Sequence, residues 1–171
     1  MIIFITVGTH EQPFNRLVEY MDKFQLNHPE DTIIIQAGYS TYQCKYAKEY
    51  VFLSPDKMHK LMEDCDVLVT HGGPSSFIEG IKCKKRVIVV PRQLKFKEHI
   101  NNHQVDFLKN IVPKYKGVLI PVFNIKMLSE KIAEVLSKPA LTLKETENIN
   151  NNDHFNQQMS AVISKIMENE N

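Results

Sequence analysis

Two short runs of branched apolar residues, Val67–Val69 and Val87–Val90, stand on either side of a glycine turn and a segment long enough only for a short helix. Neither run alternates apolar with polar residues, which suits strands covered on both faces and not the half-solvated strands of a hairpin. Asp66–Pro91 therefore reads as strand, loop, helix, parallel strand. Gly72 and Gly73 fall where the first of these strands ends, on the edge where open α/β sheets bind ligands. A helix beginning there turns unpaired N–H groups and the positive end of its dipole toward an anion.

The chain on either side repeats the pattern. Ile2–Val7 reads as a strand ending in Gly8-Thr9-His10, and Phe14, Leu17, Val18, Met21 and Phe24 recur at helical spacing over Pro13–Phe24. Thr32–Gln36 and Glu49–Leu53 are the next strands, the second leading through Ser54 as N-cap and Pro55 at the first helical position. Beyond the central unit come a helix over His99–Leu108, a strand over Gly117–Ile120, and an amphipathic helix from Ile125 to Leu136 stopped at Pro139. Alternating strands and helices imply a Rossmann-like α/β fold, a parallel sheet with helices on both faces. The expected organisation is a domain over 1–138, a polar linker over 139–154 and a terminal amphipathic helix over 155–168, marked by Phe155, Met159, Val162, Ile163 and Ile166.

Charge excludes little in bulk. The formal net charge is +1, so nothing points to nucleic acid. Lys82–Lys97 holds seven Lys or Arg and no acid before Glu98, a run able to serve phosphates or an anionic surface. Three cysteines without paired spacing fit a reducing compartment, and no apolar run is long enough to span a membrane.

Three polar clusters fall at strand ends. In the first, Gly8 leaves room for a ligand, Thr9 offers donors, and His10 can donate to phosphate or exchange a proton. In the second, His71-Gly72-Gly73-Pro74-Ser75-Ser76 can cradle an anion, and Glu79 can accept from vicinal hydroxyls; a tight turn with a serine cap and a solvent-facing glutamate is the plainer alternative. The third runs from Arg92 through Glu98 and His99 to Asn101, Asn102 and Gln104, whose carboxamides suit sugar hydroxyls. His99 and His103 sit one turn apart, but no HExxH motif or further ligands accompany them, and no metal site is expected. GxGxxG and GxxxxGK[ST] are absent, as are a serine elbow and a cysteine-nucleophile setting, which disfavours redox, nucleoside-triphosphatase and hydrolase chemistry.

Together, VGTHEQPF at 7–14, THGGPSSFIEG at 70–80 and EHINNHQ at 98–104 resemble the small catalytic subunits related to the C-terminal, donor-binding half of GT-B glycosyltransferases. That family includes the soluble subunit of the transferase adding the second N-acetylglucosamine to a dolichol-linked glycan, and bacterial capsular and exopolysaccharide partners. The resemblance implies a UDP-sugar donor and no cofactor. It also implies a lipid-linked saccharide acceptor presented by a membrane-anchored subunit that recruits this chain from the cytoplasm to the inner face of the membrane. Carried over by position, Gly8, Thr9 and His10 match the loop near the diphosphate, His71, Gly72, Gly73 and Ser75 match the second nucleotide loop, where the Ser76 hydroxyl also stands, Glu79 meets the ribose hydroxyls, and Glu98, with Asn101, Asn102 and Gln104 nearby, adjoins the donor sugar or its phosphates. Arg92, Lys95 or Lys97 would assist the leaving group. His10 is the local candidate for the base of an inverting displacement, unless the partner supplies it. A non-catalytic scaffold in the same complex is the competing reading, and a nucleotide-sugar epimerase is disfavoured for want of a second half to the cleft.

Overall fold

The computed structural model describes residues 1–142; the expected terminal helix and most of the expected linker lie outside them. Six parallel strands form one sheet: β1 (Ile2–Thr6), β2 (Thr32–Gln36), β3 (Lys48–Tyr50), β4 (Val67–His71), β5 (Val87–Val90) and β6 (Leu119–Pro121). Their order is β3-β2-β1-β4-β5-β6. The chain winds outward from β1 to β3, returns to the far side of β1, and winds the other way. The loops after β1 and β4 thus part at a topological switch point, where the sheet leaves a crevice.

Period-two alternation along the strands divides the core. Ile3, Ile5, Val67, Val69, Ile88 and Val90 pack on one face against α1 (Asn15–Asn27) and α5 (Leu128–Leu136). Phe4, Leu68, Val87 and Val89 pack on the other against α2 (Pro55–Asp64), α3 (Pro74–Lys82) and α4 (His103–Ile111). Strands covered on both sides show no polar alternation, which accounts for the uninterrupted apolar runs. Ser54 caps α2 as its position suggests, its hydroxyl accepting from the Lys57 N–H at 3.4 Å.

Boundaries move where side chains bind backbone. The helix expected from His99 begins only at His103, after a 3-10 turn over Leu94–Phe96. Lys97 adopts φ 58°, the left-handed region, and breaks the run. Asn102 Oδ1 accepts from the Leu94 N–H, and Asn101 Oδ1 from the His103 N–H, so local amides replace helical partners. The strand expected over Glu49–Leu53 pairs only through Tyr50, leaving Val51 and Phe52 exposed. At the other end of the chain, Leu141, in the expected linker, is buried in the second core cluster.

The basic run is divided by the fold. Lys82, Lys84, Lys85 and Arg86 precede β5, Lys95 and Lys97 follow it, and Arg92 is fully buried. Four strand residues separate the two groups by about 13 Å of sheet, so they do not form one anionic-ligand surface.

The wide loop after β2 is held by Asp22 of α1, which is wholly buried. Its carboxylate accepts from the Tyr42 hydroxyl and from the Lys45, Tyr46 and Ala47 N–H groups at 2.8–3.1 Å. Burial alone would raise its pKa, but these donors hold it below the usual carboxylate range.

Gly80 sets how closely α3 approaches the sheet. A Cβ there would lie 2.3 Å from Leu68 Cδ2 and 2.9 Å from Val87 Cγ2, both in the packed core. Gly80→Ala gains about 1 kcal/mol in helix propensity but overpacks at a cost of about 1–3 kcal/mol. We expect a lower urea midpoint with unchanged m-value; a midpoint at or above wild type would show that α3 can lift without loss.

Candidate functional site

The carboxyl edge of the sheet at the switch point is built from three loops, after β1, β4 and β5. Gly8 enters the first with φ 76°, where a side chain would be strained. It also has no room for one, since a Cβ would lie 2.5 Å from His71 Cε1. A Cβ on Gly73 would lie 2.2 Å from Nε2 of the same ring. Gly8, from the loop after β1, and Gly73, from the loop that His71 itself begins, thus both close on the His71 imidazole, and neither position has room for a side chain.

His71 is consequently a wedge between the loops. Burial pushes its pKa down to about 3, with the Arg92 charge adding to the shift and a backbone hydrogen bond with Thr6 opposing it. The ring is neutral at physiological pH and carries no charge to an anion. Its Nδ1 is sealed from solvent.

Arg92 joins the loops after β1 and β5. One terminal nitrogen donates to the carbonyls of Gln12 at 2.6 Å and Glu98 at 3.1 Å, the other to that of Val7 at 2.9 Å, and the guanidinium lies 4.8 Å from the Phe14 ring centroid. Burial lowers its pKa to about 10, still far above neutrality. The expected phosphate contact is thus replaced by a buried cation serving backbone oxygens. Glu98 is likewise engaged: Arg16 of α1 grips it in a fork at 2.7 and 2.8 Å, and the Gln93 N–H donates to it at 3.1 Å. Its carboxylate is almost wholly buried and faces Arg16, not the open edge.

Gln104 also positions backbone. Its Oε1 accepts from the N–H of Gly72 at 3.1 Å and of Arg92 at 3.0 Å, tying the loop after β4 to the loop after β5. Gln36, at the end of β2, ties the loop after β1 to the chain just beyond β3: it accepts from the Thr6 hydroxyl at 2.7 Å and donates to the carbonyls of Gly8 and Val51. Sequence reading passed over Gln36, although a polar residue ending the run TIIIQ was its signal. Nothing in the sequence pointed to Arg16.

What remains open to solvent is a smaller set. Thr9 and Ser75 are exposed, and His10, Gly73 and Ser76 are partly so. Asn102 is exposed, with its oxygen engaged by Leu94 N–H. Gly73 is the N-cap of α3 and makes no side-chain cap bond, and Pro74 at the first position has no N–H, so the first N–H groups the helix offers are those of Ser75 and Ser76. His10 accepts the Gln12 N–H at Nδ1, 3.2 Å away, which places the proton of its neutral ring on Nε2. Its ring centroid lies 4.6 Å from that of His99.

Glu79 lies on α3 five residues beyond Pro74, about 7.5 Å along the helix axis. It is half-buried on the flank facing α2, with Oε1 2.8 Å from His59 Nδ1. Tyr39 and Phe52 are exposed beyond the ends of β2 and β3, with ring centroids 5.4 Å apart. The edge thus presents backbone and hydroxyl donors and an aromatic rim, with the Glu79 carboxylate to its flank against α2.

Because His71 stays neutral in the fold while an unfolded histidine protonates near pH 6.5, the unfolded state binds the extra proton as pH falls below that value. His71 therefore contributes stability that is lost between about pH 6.5 and 3, at up to about 1.4 kcal/mol per pH unit. Urea unfolding from pH 7 to pH 5 should show a steeper loss in wild type than in His71→Asn; equal slopes would show that the ring protonates in the folded chain.

The family model of the glycosyltransferase family 28 C-terminal domain matches residues 2–165. The crystal structure of a glycotransferase of kitacinnamycin superposes with a TM-score of 0.62 at 16% identity, covering 86% of this chain and 37% of that one. The glycosyltransferase SnogD from Streptomyces nogalater superposes with a TM-score of 0.58 at 12% identity, covering 94% of this chain and 44% of that one. At such identities the likeness is one of fold, and the chain spans less than half the length of either structure. No curated protein matches the sequence.

Proposed function

The chain belongs to the glycosyltransferase family 28 C-terminal domain family, and on that premise we propose that it is the donor-binding half of a glycosyltransferase that takes a hexose from a UDP-sugar. The observation that carries this reading is the close approach of Gly8 and Gly73 to the His71 ring at the switch point, beside the start of α3 and the Thr9, Ser75 and Ser76 side chains. The diphosphate lies across that start. In this reading Glu79, about 7.5 Å further along α3, turns from His59 to accept from both ribose hydroxyls, a spacing that suits the step from phosphate to ribose. Tyr39 and Phe52 give a nucleobase an apolar surface at the rim.

As the bond from the anomeric carbon to the diphosphate oxygen breaks, negative charge grows on the leaving group. Backbone N–H groups and the helix dipole stabilise that charge without having to reorient. His10 serves the same end: with Nδ1 accepting the Gln12 N–H, its Nε2–H is a donor, which favours a catalytic contact to the leaving phosphate over proton removal from the acceptor. In this reading the base for the acceptor hydroxyl comes from a separate acceptor-binding subunit. The displacement inverts the anomeric centre.

Leu94, Phe96 and Ile100, all exposed on the loop after β5 at the same edge, support such a partner. Among the described residues no helix is long and apolar enough to cross a membrane. The acceptor is then a lipid-linked saccharide of capsule or exopolysaccharide assembly, held by a membrane-anchored partner that recruits this chain to the inner face of the membrane.

Calorimetric titration of the chain with UDP, alone and with its partner, tests the donor site. Glu79→Ala should weaken UDP binding about 10- to 100-fold, as loss of hydrogen bonds to a charged group predicts. Unchanged affinity would remove the ribose assignment, and no UDP binding even in the complex would favour a scaffold. In the reconstituted pair, His10→Ala should lower turnover about 100- to 1,000-fold with a smaller effect on UDP affinity. Wild-type turnover would exclude any catalytic part for His10.

A further inference from the structure

On the face of the sheet covered by α2 and α3, four side chains meet across the seam between the two helices. His59 and Glu63 stand one turn apart on α2; Glu79 and Cys83 stand one turn apart at the end of α3. The spacing i, i+4 turns both members of each pair toward the other helix. His59 Nδ1 lies 2.8 Å from Glu79 Oε1 and 3.8 Å from Cys83 Sγ. One donor atom each from His59, Glu79 and Cys83 falls within 4.8 Å of the others.

We propose that this seam is a zinc site, with His59 Nδ1, the Glu79 carboxylate and the Cys83 sulfur as ligands and Glu63 orienting the imidazole. Tetrahedral zinc with bonds of about 2.0–2.3 Å spaces its ligand atoms about 3.3–3.8 Å apart. The Nδ1 to Sγ distance already has that value. The shorter Nδ1 to Oε1 pair must open by about half an ångström, which side chains this exposed can accommodate by rotation. A nitrogen, a sulfur and an oxygen donor together suit zinc and are unsuited to magnesium or calcium, which take oxygen ligands.

The surroundings point the same way. Glu63 Oε1 lies 3.4 Å from His59 Nε2, so a carboxylate holds the ring nitrogen opposite the metal, as partners of zinc-bound histidines do. Lys82, 3.8 Å from Glu79 Oε2, is the cation that a metal would displace or share. Glu63 and Glu79 both lie against His59, and the two carboxylates attract a dication; on binding, the Cys83 thiol proton passes to solvent as the sulfur–zinc bond forms. The fourth position is open to water. Glu79 is also the carboxylate assigned above to the ribose, but the metal site rests on the α2–α3 geometry and not on that assignment.

Cobalt(II) is the probe, because its bond to a thiolate gives a near-ultraviolet charge-transfer band that other ligands do not. The full chain, reduced with a non-chelating phosphine and free of nucleotide, is titrated with Co2+ and then with Zn2+. The expected result is a saturable charge-transfer band, bleached by Zn2+, lost in Cys83→Ser and kept in Cys44→Ser. His59→Ala should weaken Co2+ binding at least 10-fold, and Glu63→Gln about 10-fold. Zn2+ should raise the melting temperature of wild type and of Cys44→Ser but not of Cys83→Ser, a comparison that also shows each variant is folded. The absence of a charge-transfer band in wild type, its survival in Cys83→Ser, or wild-type affinity in His59→Ala would overturn the proposal.

Discussion

A buried guanidinium decides the shape of the ligand edge. Parallel strands that all end on one side of a sheet deliver their loops there together, and loops carry carbonyl oxygens that no strand or helix pairs. At the switch point the carbonyls of Val7, Gln12 and Glu98 converge, and Arg92 answers all three from a position with no exposure to solvent. Arginine suits this place because its planar fork presents several donors in fixed directions and its charge spreads over the group; a lysine ammonium could not meet the same carbonyls. Glu98, bound by Arg16, balances the charge nearby, so the loops after β1 and β5 are joined to α1 by an ion network as well as by hydrogen bonds.

That arrangement leaves the surface proposed to bind the diphosphate to be made of backbone. With Arg92 and Glu98 turned inward, and with Gln104 and Gln36 each bridging a pair of loops, the polar side chains nearest the crevice act chiefly as braces. The surface they hold in place is the start of α3 and the glycine loops around His71. Preorganised N–H dipoles suit a leaving diphosphate because they need not move as charge develops. The His71 ring contributes by shape and neutrality, since a charged ring in so dry a place would have to find a partner.

The seam between α2 and α3 runs down α3 from Glu79 to Cys83 at the end away from the crevice and obeys another logic. There the side chains are exposed or half-buried, His59 Nδ1 is hydrogen-bonded to Glu79 Oε1 at 2.8 Å and stands 3.8 Å from Cys83 Sγ, and rotation can bring the three donors around one atom. Glu79 belongs to both regions. If the seam binds zinc and the crevice a UDP-sugar, that one carboxylate links metal occupancy to donor binding.

Much of the fold was legible in local pattern. Val67–Val69 and Val87–Val90 could only be strands covered on both faces, Ser54-Pro55 could begin a helix, and glycines at strand ends placed the ligand edge, because periodicity and turn chemistry are properties of neighbouring residues. The family resemblance rested on the same local stretches. What the tertiary structure alone decided was the partner of each polar side chain. Arg16 and Glu98 are 82 positions apart, Arg92 reaches back 85 residues to Val7, and His59 meets Glu79 across 20. A hydrogen bond goes to whichever group the packing brings within about 3 Å, and no periodicity along the chain encodes that choice. Residue type and position thus placed Arg92, Glu98 and Gln104 correctly at the edge of the sheet, while three-dimensional packing turned them toward the protein's own backbone and side chains.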